Sequence, residues 1–268
     1  MSKKSKMEFL IIDPQNDFCN PKGNLFVTGA DKDSALLAKT IVRLKDRIDD
    51  IHITLDTHHF VDIAHPIFWI DSSGTHPNPF TLISKSDVVD GKWTTKNPQF
   101  RKRALEYVTA LEVNKRYLLC IWPPHCLIGT WGHNVVEPVL VSVTMWENDR
   151  FALIDYVTKG SNFWTEHYSA VQADVPDSQD AGTMLNTRLI QTLQEADIIA
   201  LSGQALSHCV ANTVRDIANN FGEDNIKKMT LLVDTTSSVP GFEKMGEDFL
   251  KEMKGRGMNI CKADDFMV

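Results

Sequence analysis

Residues 197–219, DIIALSGQALSHCVANTVRDIAN, decide how the rest of the chain is read. The run IIAL is apolar without polar/apolar alternation, the pattern of a strand covered on both faces. A glycine-containing turn follows, and from residue 209 to 219 the apolar residues recur at helical spacing. Strand, turn and helix in so short a stretch form half of a crossover between parallel strands.

Working outward, MEFLII (7–12), IHITL (51–55), RYLLCIW (116–122), FALIDYV (151–157) and MTLLVD (229–234) repeat the apolar pattern. Helical spacing recurs over 33–49, 185–195 and 243–255. This alternation predicts an α/β chain in three layers, αβα, with a doubly wound, mainly parallel sheet of about six strands. A length of 268 residues suits one such domain spanning 1–268. Residues 60–115 break the alternation: they are rich in Pro, Gly, Ser and aromatics and become helix-like from 97 to 111. They predict an insertion or lid after the second strand.

A formal net charge of −7 gives no basic face for nucleic acid phosphates or anionic membranes, so a small-molecule partner is expected, with no nucleic acid and no membrane. The five cysteines are odd in number and scattered, which fits a reducing, cytoplasmic setting better than a disulfide framework. The apolar run near the N-terminus is too short for a signal-peptide core or a membrane span. The sequence leaves a homo-oligomer open.

In a doubly wound sheet the ligand crevice lies beyond the carboxyl ends of the strands. Asp13, then Asp56 and His58, then His125, then Cys209 each follow an apolar run, so four strand ends are expected to deliver reactive groups to one edge. A thiol attacks as its thiolate, and a helix N-terminus favours that form. Taken singly, however, Cys209 reads better as a small buried hydrophobe, Asp13 as a strand-terminating residue, and Lys159 as a solvated surface lysine. His208 adjoins Cys209, but neighbours on a helix point in different directions, which disfavours a dyad. Asp56 and His58, at i and i+2 on a strand end, can share a face, and His125 arrives from a later segment. Two imidazoles and a carboxylate leave open positions on a divalent ion, as a catalytic or substrate-holding site needs. Histidines 59, 65, 76 and 133 are weaker candidates, and Cys126, followed by Leu127 and Ile128, reads as buried.

Together the segments LIIDPQNDFC (10–19), DTHH (56–59), WPPHCLIGTWG (122–132), KGSNFWTEHYSAV (159–171) and GQALSHCVANTVRDI (203–217) resemble the isochorismatase-like cysteine hydrolases, and within them the nicotinamidase/pyrazinamidase branch. The resemblance implies a catalytic triad of Asp13, Lys159 and Cys209, and a metal site of Asp56, His58 and His125 holding zinc, or else iron or manganese. It further implies a cis peptide at Gln204–Ala205 and an oxyanion hole from the backbone N–H groups of Ala205 and Cys209. The expected reaction cleaves a small, nicotinamide-like amide to acid and ammonia through a thioester, with Phe18 and Trp122 lining the substrate site. Leu206 and Ser207 stand where the family commonly shows Thr-Asp, and DTH where it shows DWH, so another small amide or a carbamoyl compound, or a non-catalytic ligand-binding homologue, stays open.

Overall fold

The computed structural model describes residues 5–114 and 117–268. Six parallel strands form the main sheet: β1 (Met7–Ile12), β2 (Asp50–Asp56), β3 (Asp155–Lys159), β4 (Ile198–Gly203), β5 (Met229–Leu232) and β6 (Asn259–Cys261). Their spatial order is β6-β5-β4-β1-β2-β3. Every residue of β1 is buried, as its unalternating sequence requires of a central strand.

From β1 the chain moves outward one way, to β2 and β3; it then returns to β4 on the other side of β1 and continues through β5 and β6. Because right-handed crossovers put helices on opposite faces when the direction of travel reverses, two helical layers result. Helices α1 (Ala30–Leu44) and α3 (Glu137–Arg150) pack together, whereas α4 (Thr187–Gln194), α5 (Ala211–Phe221) and α6 (Glu243–Gly255) form the second group. Between β1 and β4 the chain leaves in opposite directions, which opens a crevice at their carboxyl ends.

The six-strand count agrees with the sequence reading, but the membership differs. Of the run 116–122, whose first residue lies outside those described, Leu119–Cys120 alone is a strand, and it pairs antiparallel with Leu82–Ile83 apart from the main sheet. The sixth strand is Asn259–Cys261, too short and too polar to register as an apolar run. The third begins at Asp155 rather than 151 and ends at Lys159. Residues 60–115 contain a second small pairing, Trp69–Ile70 with Thr94–Thr95, and helix α2 (Arg101–Val113).

Two local features hold the sheet's centre. Gly203 ends β4 at φ +116°, and a Cβ there would lie 1.9 Å from the Ile12 carbonyl oxygen, so β4 can close against β1 only because this residue has no side chain. Across β1, β2 and β3, the buried His52 imidazole bridges Glu8 (3.3 Å) and Asp155 (3.0 Å). Burial opposes its protonation, but the two carboxylates outweigh it and raise its pKa.

Gly203→Ala should cost more than about 3 kcal/mol of stability, seen as a large fall in the urea midpoint. A His with a raised folded-state pKa stabilises fully below its unfolded pKa and loses that contribution as pH rises through the folded value. Wild type should therefore exceed His52→Gln in stability by more at about pH 6 than at about pH 8.5, in paired urea titrations.

Candidate active site

The register of β2 against β3 sets Asp56 opposite Lys159, the last residue of each strand. The Lys159 Nζ lies 3.0 Å from Asp56 Oδ1 and 2.9 Å from Asp13 Oδ2, at the end of β1. Its third neighbour is the Cys209 Sγ, at 3.7 Å. All four side chains are buried. Asp13 takes a left-handed backbone conformation (φ +46°), and its N–H reaches Thr54 while the Thr54 hydroxyl donates to Asp13 Oδ1. Gly160, directly after the lysine, leaves room for the Asp56 carboxylate: a Cβ there would sit 2.7 Å from Asp56 Oδ1.

Burial pushes the Asp13 carboxyl up, more than the Lys159 ammonium pulls it down. For Lys159 burial favours the neutral amine, yet Asp13 and Asp56 overcome it and hold the group charged, well above the ordinary lysine value. Burial, with the nearby carboxylates, also drives the Cys209 thiol well above its usual pKa despite the lysine. Cys209 lies in a π-helical turn, Leu206–Val210, that runs into α5, and a thiol of raised pKa calls for a base beside it. Asp13 is the adjacent carboxylate of raised pKa.

The peptide Gln204–Ala205 is cis. Among the described residues the Ala205 N–H donates to no protein acceptor. His208 lines the same cavity as Cys209; its Nδ1 bonds the Ser207 hydroxyl at 2.9 Å, and burial lowers its pKa to about 4.

On the far side of Asp56, His58 Nε2 and His125 Nε2 approach the same carboxylate oxygen, Oδ2, at 3.0 and 3.4 Å. His125 comes not from a strand of the main sheet but from the loop after Leu119–Cys120. That loop is stitched in by the Cys126 N–H to Asp17 Oδ2 (2.6 Å), the His58 N–H to Cys126 O (3.1 Å) and the Ile128 N–H to His58 O (3.1 Å). Segment 60–115 supports it from behind, with the Ile121 N–H donating to Thr81 O and Phe80 edge-on to Trp122. Asp56, His58 and His125 thus present one carboxylate and two imidazole donors within 4.8 Å of one another.

Both imidazoles are oriented for a cation. The His58 Nδ1 faces Asp62 Oδ2 (3.1 Å) and the His125 Nδ1 faces the Pro123 carbonyl (2.9 Å), which turns both Nε2 atoms toward Asp56 Oδ2, where an ion would sit. The donor set fits a divalent metal with open positions. Behind His58, Glu166 approaches Asp62, and burial pushes its carboxyl up to about 8. The His65 ring lies 5.2 Å from that of His58, and burial lowers its pKa to about 4. Cys126 is buried and stays outside the ligand set, as its apolar followers suggest.

Cys209, Ala205, Asp56, His125, Phe18 and Trp122 line one cavity of about 20 Å³, room for about one water. Both expected substrate-site aromatics are therefore here. Trp122 is held by its Nε1–H donating to the Tyr168 hydroxyl (2.7 Å). Tyr168, Asp62, Glu166, Thr54 and Gln15 escaped the sequence reading. Asp62 sits four residues after His58, the one local signal among them. Gln15 clamps the end of β2 through bonds of 2.7 Å to both the N–H and the carbonyl of Asp56.

A doubly wound sheet whose switch point carries a buried acid, lysine and cysteine beside a carboxylate–imidazole group is the architecture that the cysteine-hydrolase resemblance implied. No protein-family model matches the chain. A curated nicotinamidase from Saccharomyces cerevisiae is 23% identical over 255 residues, 94% of this chain and 97% of that protein. Its solved structure bound to the inhibitor nicotinaldehyde superposes with a TM-score of 0.66 at 19% identity, over 96% of this chain and 99% of that one. An Acinetobacter nicotinamidase/pyrazinamidase also gives 0.66 at 19% identity, with both chains covered in full. A Pyrococcus horikoshii pyrazinamidase in complex with zinc gives 0.57 at 19% identity, over 96% and 99% of the two chains. What the solved structures share with this chain is the fold, and the resemblance to the nicotinamidase/pyrazinamidase branch is borne out over nearly its whole length.

Chelator-treated protein should gain thermal stability when zinc or manganese is added, because an ion that binds the folded state alone stabilises by mass action. His125→Ala should abolish that gain in a thermal-shift titration.

Proposed function

We propose that the protein is an amidohydrolase that cleaves nicotinamide-like amides to the carboxylic acid and ammonia. The observation that carries this reading is the Lys159 ammonium, in contact with Asp13, Asp56 and the Cys209 thiol within one buried group.

Asp13 accepts the thiol proton as Sγ bonds to the amide carbon, and the charge moves onto the carbonyl oxygen. The backbone N–H groups of Ala205 and Cys209 receive that oxyanion. When the tetrahedral species collapses, the C–N bond breaks, Asp13 returns the proton to the leaving nitrogen and ammonia departs. Water then attacks the thioester with Asp13 again as base, which releases the acid and restores the thiol. Lys159 stays charged throughout and offsets Asp13 in its ionised form.

Asp56, His58 and His125 would hold the divalent ion, with zinc the first choice because two imidazoles and a carboxylate suit it. When bound, the ion supplies an electrophilic anchor for a ring nitrogen or a water beside the reacting group. Phe18 and Trp122 provide faces for the ring. The cavity is smaller than such a ring, so these side chains must part for entry.

Metal-loaded wild type should release ammonia from nicotinamide or pyrazinamide, and Cys209→Ala or Asp13→Asn should lower kcat by about 10⁴-fold or more. Ammonia release that persists in Cys209→Ala would refute the mechanism. Release only from other small amides would keep the chemistry and assign Leu206 and Ser207 to specificity.

A further inference from the structure

The turn that presents Ala205 to the cavity is tied down from outside the site. The Gln204 N–H donates to the Ile12 carbonyl at 2.7 Å and the Leu206 N–H to the Ser237 carbonyl at 2.8 Å, so the N–H between them is left for a ligand. Ser237 is itself fixed: its N–H donates to Gln204 Oε1 (3.1 Å) and its hydroxyl to Asp33 Oδ2 (2.7 Å). The same Asp33 oxygen accepts the Gln204 Nε2–H at 2.9 Å. One carboxylate oxygen in the first turn of α1 thus closes a ring through Gln204 and Ser237, and Asp33 does not line the cavity. The fit leaves little slack, since a Cβ at Gly29, four residues before Asp33, would lie 3.1 Å from the Ser237 hydroxyl.

We infer that Asp33 is a positioning residue for amide hydrolysis, setting the direction of the Ala205 N–H through Gln204 and Ser237. This rests on the hydrolase reading above. A donor weakens steeply as its hydrogen-bond angle falls away from linear, and this one is used where charge develops on the amide oxygen. A loosened turn therefore lowers kcat and leaves ground-state binding alone.

The test uses the full chain with divalent ion added, as wild type, Asp33→Leu and Asp33→Asn, with nicotinamide as substrate and pyridine-3-carbaldehyde as inhibitor. Attack of the Cys209 thiol on the aldehyde forms the S–C bond, breaks the C=O π bond and leaves the thiol proton on the adduct oxygen or on Asp13. That oxygen occupies the oxyanion position. Asp33→Leu should lower kcat about tenfold or more with KM within about twofold, and weaken aldehyde inhibition by the same factor as kcat/KM. Asp33→Asn, whose amide oxygen can accept both bonds, should recover activity to within about threefold of wild type. Unchanged kcat in Asp33→Leu, an equal rise in KM, or an Asn variant as impaired as Leu overturns the proposal. Should Asp33→Leu not fold, Ser237→Ala opens the same ring and must give the same fall in kcat without KM; wild-type kcat there overturns it equally. A wild type that neither releases ammonia nor takes the aldehyde overturns the hydrolase reading itself, whereas an active wild type beside an unaffected Asp33→Leu overturns the positioning role alone.

Discussion

The Lys159 ammonium, shared between the carboxylates of Asp13 and Asp56, is the contact on which the site's electrostatics depend. Buried charges persist only when paired, and a lysine as buried as this one would shed its proton without them. Asp56 meets the ammonium through one oxygen and two converging imidazole nitrogens through the other, and against burial it and Asp62 raise the His58 pKa well above the ordinary value. A cation at that point would lie against the same Asp56 carboxylate that Lys159 holds from the other side. The lysine therefore links the Cys209 thiol to the carboxylate–imidazole group, and neither half is electrostatically independent of the other.

The sheet makes this contact possible. Asp13, Asp56 and Lys159 stand at the carboxyl ends of three adjacent parallel strands, so register alone brings them together. Cys209 reaches them from the other side of the switch point, through a turn that begins at Gly203, where β4 has no side chain to keep it from β1. Reversal of chain direction between β1 and β4 thus opens the crevice and assigns its two walls to different halves of the fold: acids and lysine from one, the cysteine and the Gln204–Ala205 turn from the other.

Much of this was legible in the sequence, and what was not has physical reasons. Central strands such as MEFLII announce themselves because both faces are covered, and polar residues directly after them could be assigned to one edge of the sheet. Asn259–Cys261, at the opposite margin, has one neighbouring strand and carries no such pattern. Helix α3 was missed because its apolar residues lie on both sides: Val139, Val143 and Trp146 are buried, while Leu140, Val141 and Met145 are exposed. His125 was assigned to the right site by the wrong route, since an apolar run can belong to a short hairpin as well as to the central sheet. Asp62, Glu166 and Tyr168 act on site residues through tertiary contacts that local patterning does not encode.

Lys159 closes the last strand at the margin of the sheet, and β3 has a single neighbour, β2. Margins are where sheets open first, in local excursions that leave the centre intact. Each such excursion would separate Lys159 from Asp56 and leave two carboxylates facing one another without their counter-charge. The fold has therefore tied a buried charge cluster to a marginal strand, so that competence at the site and integrity of the core are set by different parts of the molecule and can be lost separately.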